Sequence, residues 1–183
     1  MSPQRLMLIA AVALLPACGP AKLESDLNIA GAPDWVNKGT AYVNNQDGRL
    51  FHGVGSAAPS GDDALQRDTA DNRARAEVAR IFSSYLDVVS RDYQAASRSG
   101  ETKAAEEAVS RQIKSISQVN LAGMRIIARW KDKRSNTVYS IAELDVKQVK
   151  DTTAATREMN DDVRRYVQAN ADNIFDRVAQ DKK

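Results

Sequence analysis

Ten apolar residues run without interruption from Leu6 to Leu15, with Arg5 just ahead of them. As a helix that run spans about 15 Å, half of a roughly 30 Å hydrocarbon core, so it suits a cleavable export leader better than a membrane span. Small and polar residues follow from Gly19 to Ala32, punctuated by Gly19-Pro20 and Gly31-Ala32-Pro33, which is the composition of a tether. Ordered structure is expected from Asp34-Trp35-Val36, with Trp35 capping the core.

Further along, the period of the apolar positions changes twice. The turn formers Asn44-Asn45-Gln46-Asp47-Gly48 predict a connection between a short strand at Thr40–Val43 and a second at Arg49–Ala57. In the second strand Leu50, His52, Val54 and Ser56 share one face, and Phe51, Gly53, Gly55 and Ala57 share the other. The glycine face leaves room for a helix to cross close to the backbone.

After Pro59-Ser60-Gly61-Asp62-Asp63, apolar residues recur at helical spacing: Leu65, Ala70, Ala74, Val78, Ile81, Tyr85, Val88 and Val89. Ser60 or Asp62 can cap this helix, which runs to about Ser97 and breaks at Arg98-Ser99-Gly100. A second helix covers Thr102 to Val119 with Ala105, Val109, Ile113 (or Gln112) and Ile116 as its stripe. The two form a helical hairpin or one helix kinked near Gly100.

Period two then returns in Leu121–Lys131 and Thr137–Val146, a hairpin closed by Asp132-Lys133-Arg134-Ser135-Asn136. Met124, Ile126, Ala128 and Trp130 share its buried side; Arg125, Ile127, Arg129 and Lys131 share the wet one. From about Asp151 a helix carries Val163, Tyr166, Val167, Asn170, Ile174, Phe175 and Val178 as a stripe, which is either a packing face or an oligomerisation seam.

The order of elements predicts an α+β fold: an antiparallel sheet of three to four strands covered by helices on one face, plus a C-terminal helix. The chain divides into a leader over 1–17, a tether over 18–32, an α+β domain over 33–150 and a C-terminal helix over 151–183.

Composition narrows the function classes. With 43% hydrophobic and 27% charged residues, this is an ordinary folded chain, and aromatics at 5% leave Ala, Val, Ile and Leu to fill most of the core. The formal charge of +2 falls to about +1 once Arg5, the leader's only charged residue, is removed. So even a balance excludes nucleic acid as a partner. Cys18 is the single cysteine, so no intrachain disulfide forms and stability rests on packing.

That cysteine stands where the apolar run ends. Leu15-Pro16-Ala17-Cys18 resembles the lipobox of bacterial lipoproteins, with Pro16 a less common choice at its position. The resemblance implies cleavage between Ala17 and Cys18, a diacylglycerol on the Cys18 sulfur and further acylation of its amine. Two or three acyl chains hold a protein firmly on a bilayer, whereas one holds it weakly. By the sorting rule of Gram-negative lipoproteins, Gly19 implies the outer membrane, with the domain facing the periplasm or the cell surface.

A second resemblance covers Pro33 to Val146. Pro33-Asp34-Trp35-Val36 is followed by Phe51-His52-Gly53-Val54-Gly55-Ser56-Ala57, and then by Ala70-Asp71-Asn72-Arg73-Ala74-Arg75-Ala76-Glu77-Val78-Ala79. Later come Ile127-Ala128-Arg129-Trp130 and Val138-Tyr139-Ser140-Ile141-Ala142-Glu143-Leu144. Taken together these stretches resemble the Lpp-twenty family of small bacterial lipoproteins. The resemblance implies an envelope location, in some members an association with flagellar assembly, and no catalytic residue.

Candidate chemistry is thin. Gly53-Val54-Gly55-Ser56-Ala57-Ala58 fits the dinucleotide pattern GxGxxA, but no parallel strand follows within the required distance, so close helix–sheet packing explains the glycines better. His52 is the only histidine, and it is expected half-exposed on its strand; one histidine builds neither a Ser-His-Asp triad nor a zinc site. No cofactor, metal or catalytic residue is expected.

On the long helix, Asp71 and Arg75, and Arg73 and Glu77, are spaced for i,i+4 pairs. Arg73, Arg75 and Arg80 are the candidate interaction face. Arg125, Arg129, Lys131, Lys133 and Arg134 concentrate positive charge on the hairpin, with Glu143 and Asp145 opposite to neutralise it.

The expectation is a non-enzymatic outer-membrane lipoprotein with a structural or assembly role in the envelope, flagellar proteins and a second copy of the chain being candidate partners. The alternative is a module that binds peptidoglycan or another envelope ligand through the arginine face. An enzyme would have to rely on carboxylates alone.

Overall fold

The computed structural model describes residues 27–41, 48–96, 103–156 and 159–180. In chain order it contains α1 (Asp34–Lys38), a 3₁₀ turn (Gly39–Ala41), β1 (Leu50–Ala57), α2 (Asp63–Ala96), α3 (Lys103–Ala122), β2 (Arg125–Lys131), β3 (Val138–Asp145), α4 (Val146–Ala155) and α5 (Asp161–Gln180). The fold is α+β, as the pattern predicts.

The sheet is antiparallel, three-stranded among the described residues, with the order β1-β3-β2. Thr40 and Ala41, expected to open a fourth strand, lie in the 3₁₀ turn, while Tyr42, Val43 and most of the following turn fall outside the described residues.

Helix α2 begins where Asp62 can serve its free amides: the Asp62 carboxylate accepts from the backbone N–H of Ala64 at 2.8 Å and of Leu65 at 3.1 Å. At 34 residues it is about 51 Å long, roughly twice the reach of an eight-residue strand. Its first half lies on the sheet and its second half extends beyond it. The approach is close because β1 presents glycines there. A Cβ on Gly53 would stand 2.5 Å from the Ala74 carbonyl oxygen, and one on Gly55 would stand 2.6 Å from that of Ala70.

In the first turn the stripe assignment fails at Leu65, which is 57% exposed. Gln66 is buried instead, because the strand ends leave carbonyls in need of a donor: its amide donates to Ala57 O at 2.9 Å and Asn136 O at 2.8 Å.

Beyond the sheet, α2 packs against α3 and α5, and α4 bridges these two. Phe51 reaches from β1 into this layer, with its ring edge-on to Phe82 (5.5 Å), Tyr85 (5.2 Å) and Phe175 (4.9 Å). These four aromatics gather at the centre of a core otherwise built mostly from Val, Ile, Leu and Ala.

The hairpin starts later than its alternation suggests. Leu121 and Ala122 close α3, a turn follows (Gly123 N–H to Asn120 O, 3.0 Å), and β2 begins at Arg125. A β-bulge between Ile126 and Ala128 then shifts the register against β3. Before it, Ile126 opposes Ala142 and joins Met124 against the core; after it, Ala128 opposes Ile141, and Arg129 opposes Ser140. The bulge therefore separates the expected quartet, sending Ala128 and Trp130 to the opposite face and turning Arg129 towards α2.

The C-terminal region holds two helices where one was expected. Asp145 caps α4 by accepting from the Lys147 N–H at 2.8 Å, and Asn160 likewise serves the first turn of α5 at 2.7 Å. Val163, Val167, Ile174 and Phe175 are buried in the common core, with Tyr166 and Val178 partly so. The stripe is a packing face of this domain. None of the described helices is long and apolar enough to cross a membrane.

Candidate functional site

The three arginines of the candidate face lie on α2, but the helix does not bring them together. At about 100° per residue, Arg73 and Arg80 fall within about 20° of each other, while Arg75 lies on the far flank. Arg73 donates to the Ser56 carbonyl of β1 at 2.7 Å, and Arg80 donates twice to Glu77, at 2.9 and 2.7 Å. The i,i+4 pairing expected of Asp71 with Arg75 and of Arg73 with Glu77 gives way to these partners and to the one below.

Asp71 is buried at the interface of α2 with the sheet. Arg129 donates to it from Nε at 2.8 Å and from Nη2 at 2.5 Å, and the Ser140 hydroxyl donates at 2.7 Å. The Arg129 guanidinium holds the Asp71 carboxyl below its ordinary value of 3.8; burial opposes this, while Ser140 and the charge of Arg75 assist it. Arg129 is correspondingly raised, first by its bond to Asp71. The β-bulge makes this pair possible.

On the opposite sheet face, Arg125, Glu143 and His52 stand in register across the three strands. Glu143 is buried and accepts from Arg125 Nη2 at 2.8 Å on Oε1, while its Oε2 lies 3.3 Å from His52 Nε2. His52 is 7% exposed, not half-exposed as its strand position suggests, and its Nδ1 has no hydrogen-bond partner among the described residues.

Two cavities flank this row. One, of about 300 Å³, is polar, with Glu143, Arg125, Asp145, Lys147, Gln148 and Asp151 around it. The other, of about 40 Å³, is an apolar crevice between His52 and Phe51 of β1, Ile81 of α2, and Phe175 and Val178 of α5.

The remaining candidates resolve locally. Gly53 and Gly55 meet the backbone of α2, so the space a pyrophosphate would need beside them is filled. Of the hairpin cations, Arg125, Arg129 and Lys131 pair with Glu143, Asp71 and Asp63. Asp145, expected to neutralise the hairpin, caps α4 instead. Lys133 and Arg134 remain exposed on a turn organised by Asp132, which accepts from the Arg134 N–H and the Ser135 hydroxyl. No group of three or more His, Cys, Asp or Glu side chains placed to hold a metal ion occurs among the described residues. Ala17 and Cys18 lie outside them.

The contacts that sequence reasoning missed, those of Asp71 with Arg129 and Ser140 and that of Gln66 with Asn136, join residues about sixty or more positions apart. Only the pairing of Arg125 with Glu143 across the hairpin had a visible signal.

A search among curated proteins finds no match to this chain. A family model, that of the LPP20 lipoprotein, matches residues 33–145, the stretch from α1 to the end of β3. That is more than half of the chain, and it contains the glycine strand, the Asp71 network and the Arg125–Glu143–His52 row. The chain belongs to the LPP20 lipoprotein family, and so to the membrane-associated lipoproteins of the envelope.

Proposed function

We propose that the protein is a non-enzymatic outer-membrane lipoprotein, held through acyl chains on Cys18, with a structural or assembly role in the cell envelope and the flagellum as the first setting to test. One observation carries this reading beyond the family: of the three carboxylates buried among the described residues, two are bound wholly within the domain. Asp71 serves Arg129 and Ser140, and Asp132 serves its own turn. Buried ionisable groups spent on joining strand to helix and on shaping a turn support a scaffold.

The arginine face offers less support for binding to peptidoglycan, since Arg73 and Arg80 are engaged on one flank of α2 and Arg75 lies on the other. Cross-linking in intact cells followed by mass spectrometry tests the proposal. It expects envelope proteins captured by the native chain and lost with Cys18→Ala. Unchanged membrane retention and cross-links in Cys18→Ala, or a hydrolytic or transfer activity of the purified protein, would overturn it.

A further inference from the structure

The polar cavity beside α4 has a buried carboxylate at its base and exposed cations at its mouth. Glu143 has 11% of its side chain exposed, whereas Arg125, which covers its Oε1, has 73% exposed and makes a single hydrogen bond to it. From the other side, His52 Nε2 at 3.3 Å holds the second oxygen. Glu143 is therefore fixed, and Arg125 is a side chain that can swing away.

Lys147 stands on the rim with its side chain 78% exposed, bound to an exposed partner, Asp151, at 2.8 Å. Gln148 forms a wall, its amide seated against Gly123, where any Cβ would collide with it. At about 300 Å³ the cavity is at the lower end of small-ligand sites.

We propose that this cavity binds an amino-acid-type zwitterion, an ammonium flanked by a carboxylate. The ligand's ammonium replaces the Arg125 guanidinium on Glu143, and its carboxylate is taken by the released Arg125 and by Lys147. Charge selects this class. Three carboxylates line the cavity against two cations, so a simple anion finds a net repulsive site. A dication satisfies Glu143 but leaves the displaced Arg125 facing another positive charge. The zwitterion satisfies both, through charge-assisted hydrogen bonds that are stronger than neutral ones.

Such a group occurs in free amino acids and at the free amino-acid ends of wall peptides. The inference is independent of where the protein resides, because it is tested on the purified full chain in detergent. Three matched probes are titrated by calorimetry: diaminopimelic acid, with ammonium and carboxylate on each end; cadaverine, with ammonium groups alone; and pimelic acid, with carboxylates alone.

Diaminopimelic acid is expected to bind about tenfold or more tighter than either of the others. Glu143→Gln is expected to abolish that binding. If Glu143→Gln does not fold, the exposed Lys147→Ala decides: it weakens diaminopimelic acid severalfold and does not weaken cadaverine, which only loses a like charge. A soluble wall peptide carrying the same free end separates the sources, tighter binding assigning the cavity to the polymer and equal or weaker binding to the free amino acid. Equal affinity for the three probes, no binding of any, or folded variants that bind like the native protein would overturn the assignment.

Discussion

Three hydrogen bonds converge on the Asp71 carboxylate, two from Arg129 and one from Ser140, in a residue only 5% exposed. Its carboxyl is held below 3.8, so between the folded and unfolded values the unfolded chain binds the extra proton. The stability this gives is present in full above the unfolded value and is lost as pH falls through the folded one. Asp71→Asn is therefore expected to cost about 1–3 kcal/mol at neutral pH, discounted because Arg129 is half exposed and can be solvated. Urea unfolding should show the gap between native and variant closing below about pH 4; a gap that does not change with pH would contradict the assignment. Little at this scale was visible in the sequence. Arg75 lies one helical turn from Asp71 and looked like its partner, but the pairing depends on a strand 58 residues away. His52 likewise looked accessible because alternation reports a face, not what lies over it.

The sheet and α2 meet through two glycines, and this element-scale contact has a direct test. A Cβ at Gly55 meets backbone atoms of α2 at Ala70, Arg73 and Ala74, none of which can turn aside as a side chain would. Gly55→Ala is expected to cost at least about 3 kcal/mol, the upper end of overpacking, because the helix has to lift off the strand. A thermal midpoint within a degree or two of the native one would show that the contact is looser than described. The glycine face, the long helix and its Asp62 cap could be read from the sequence because each depends on local spacing. The bulge at Ile127 could not, since an isoleucine suits a regular strand as well as a bulged one. Its consequence is that Arg129 reaches Asp71. Gln66 is hidden for a similar reason: a polar residue enters the core because its amide serves two carbonyls, of Ala57 and of Asn136, and the second lies 70 residues away.

At the scale of the whole molecule, the core is completed by a helix beyond the family-matched stretch. Phe175 of α5 closes over Phe51, and the Tyr85 hydroxyl donates to the Ala171 carbonyl at 3.1 Å. Phe175→Ala is expected to cost about 3–5 kcal/mol while leaving a single cooperative transition in denaturant. Two separate transitions in the native protein would mean that α5 is an appendage. The stripe on this helix was evident from its spacing; its destination was not, since an apolar face reads alike whether it docks within the chain or between copies. The proposed location and role both depend on a covalent anchor at Cys18. Intact-mass and peptide analysis of the protein extracted from membranes tests it most directly. The prediction is a mature chain that begins at Cys18 and carries a diacylglycerol on its sulfur; a chain that retains Met1–Ala17, or whose Cys18 is unmodified, would contradict it.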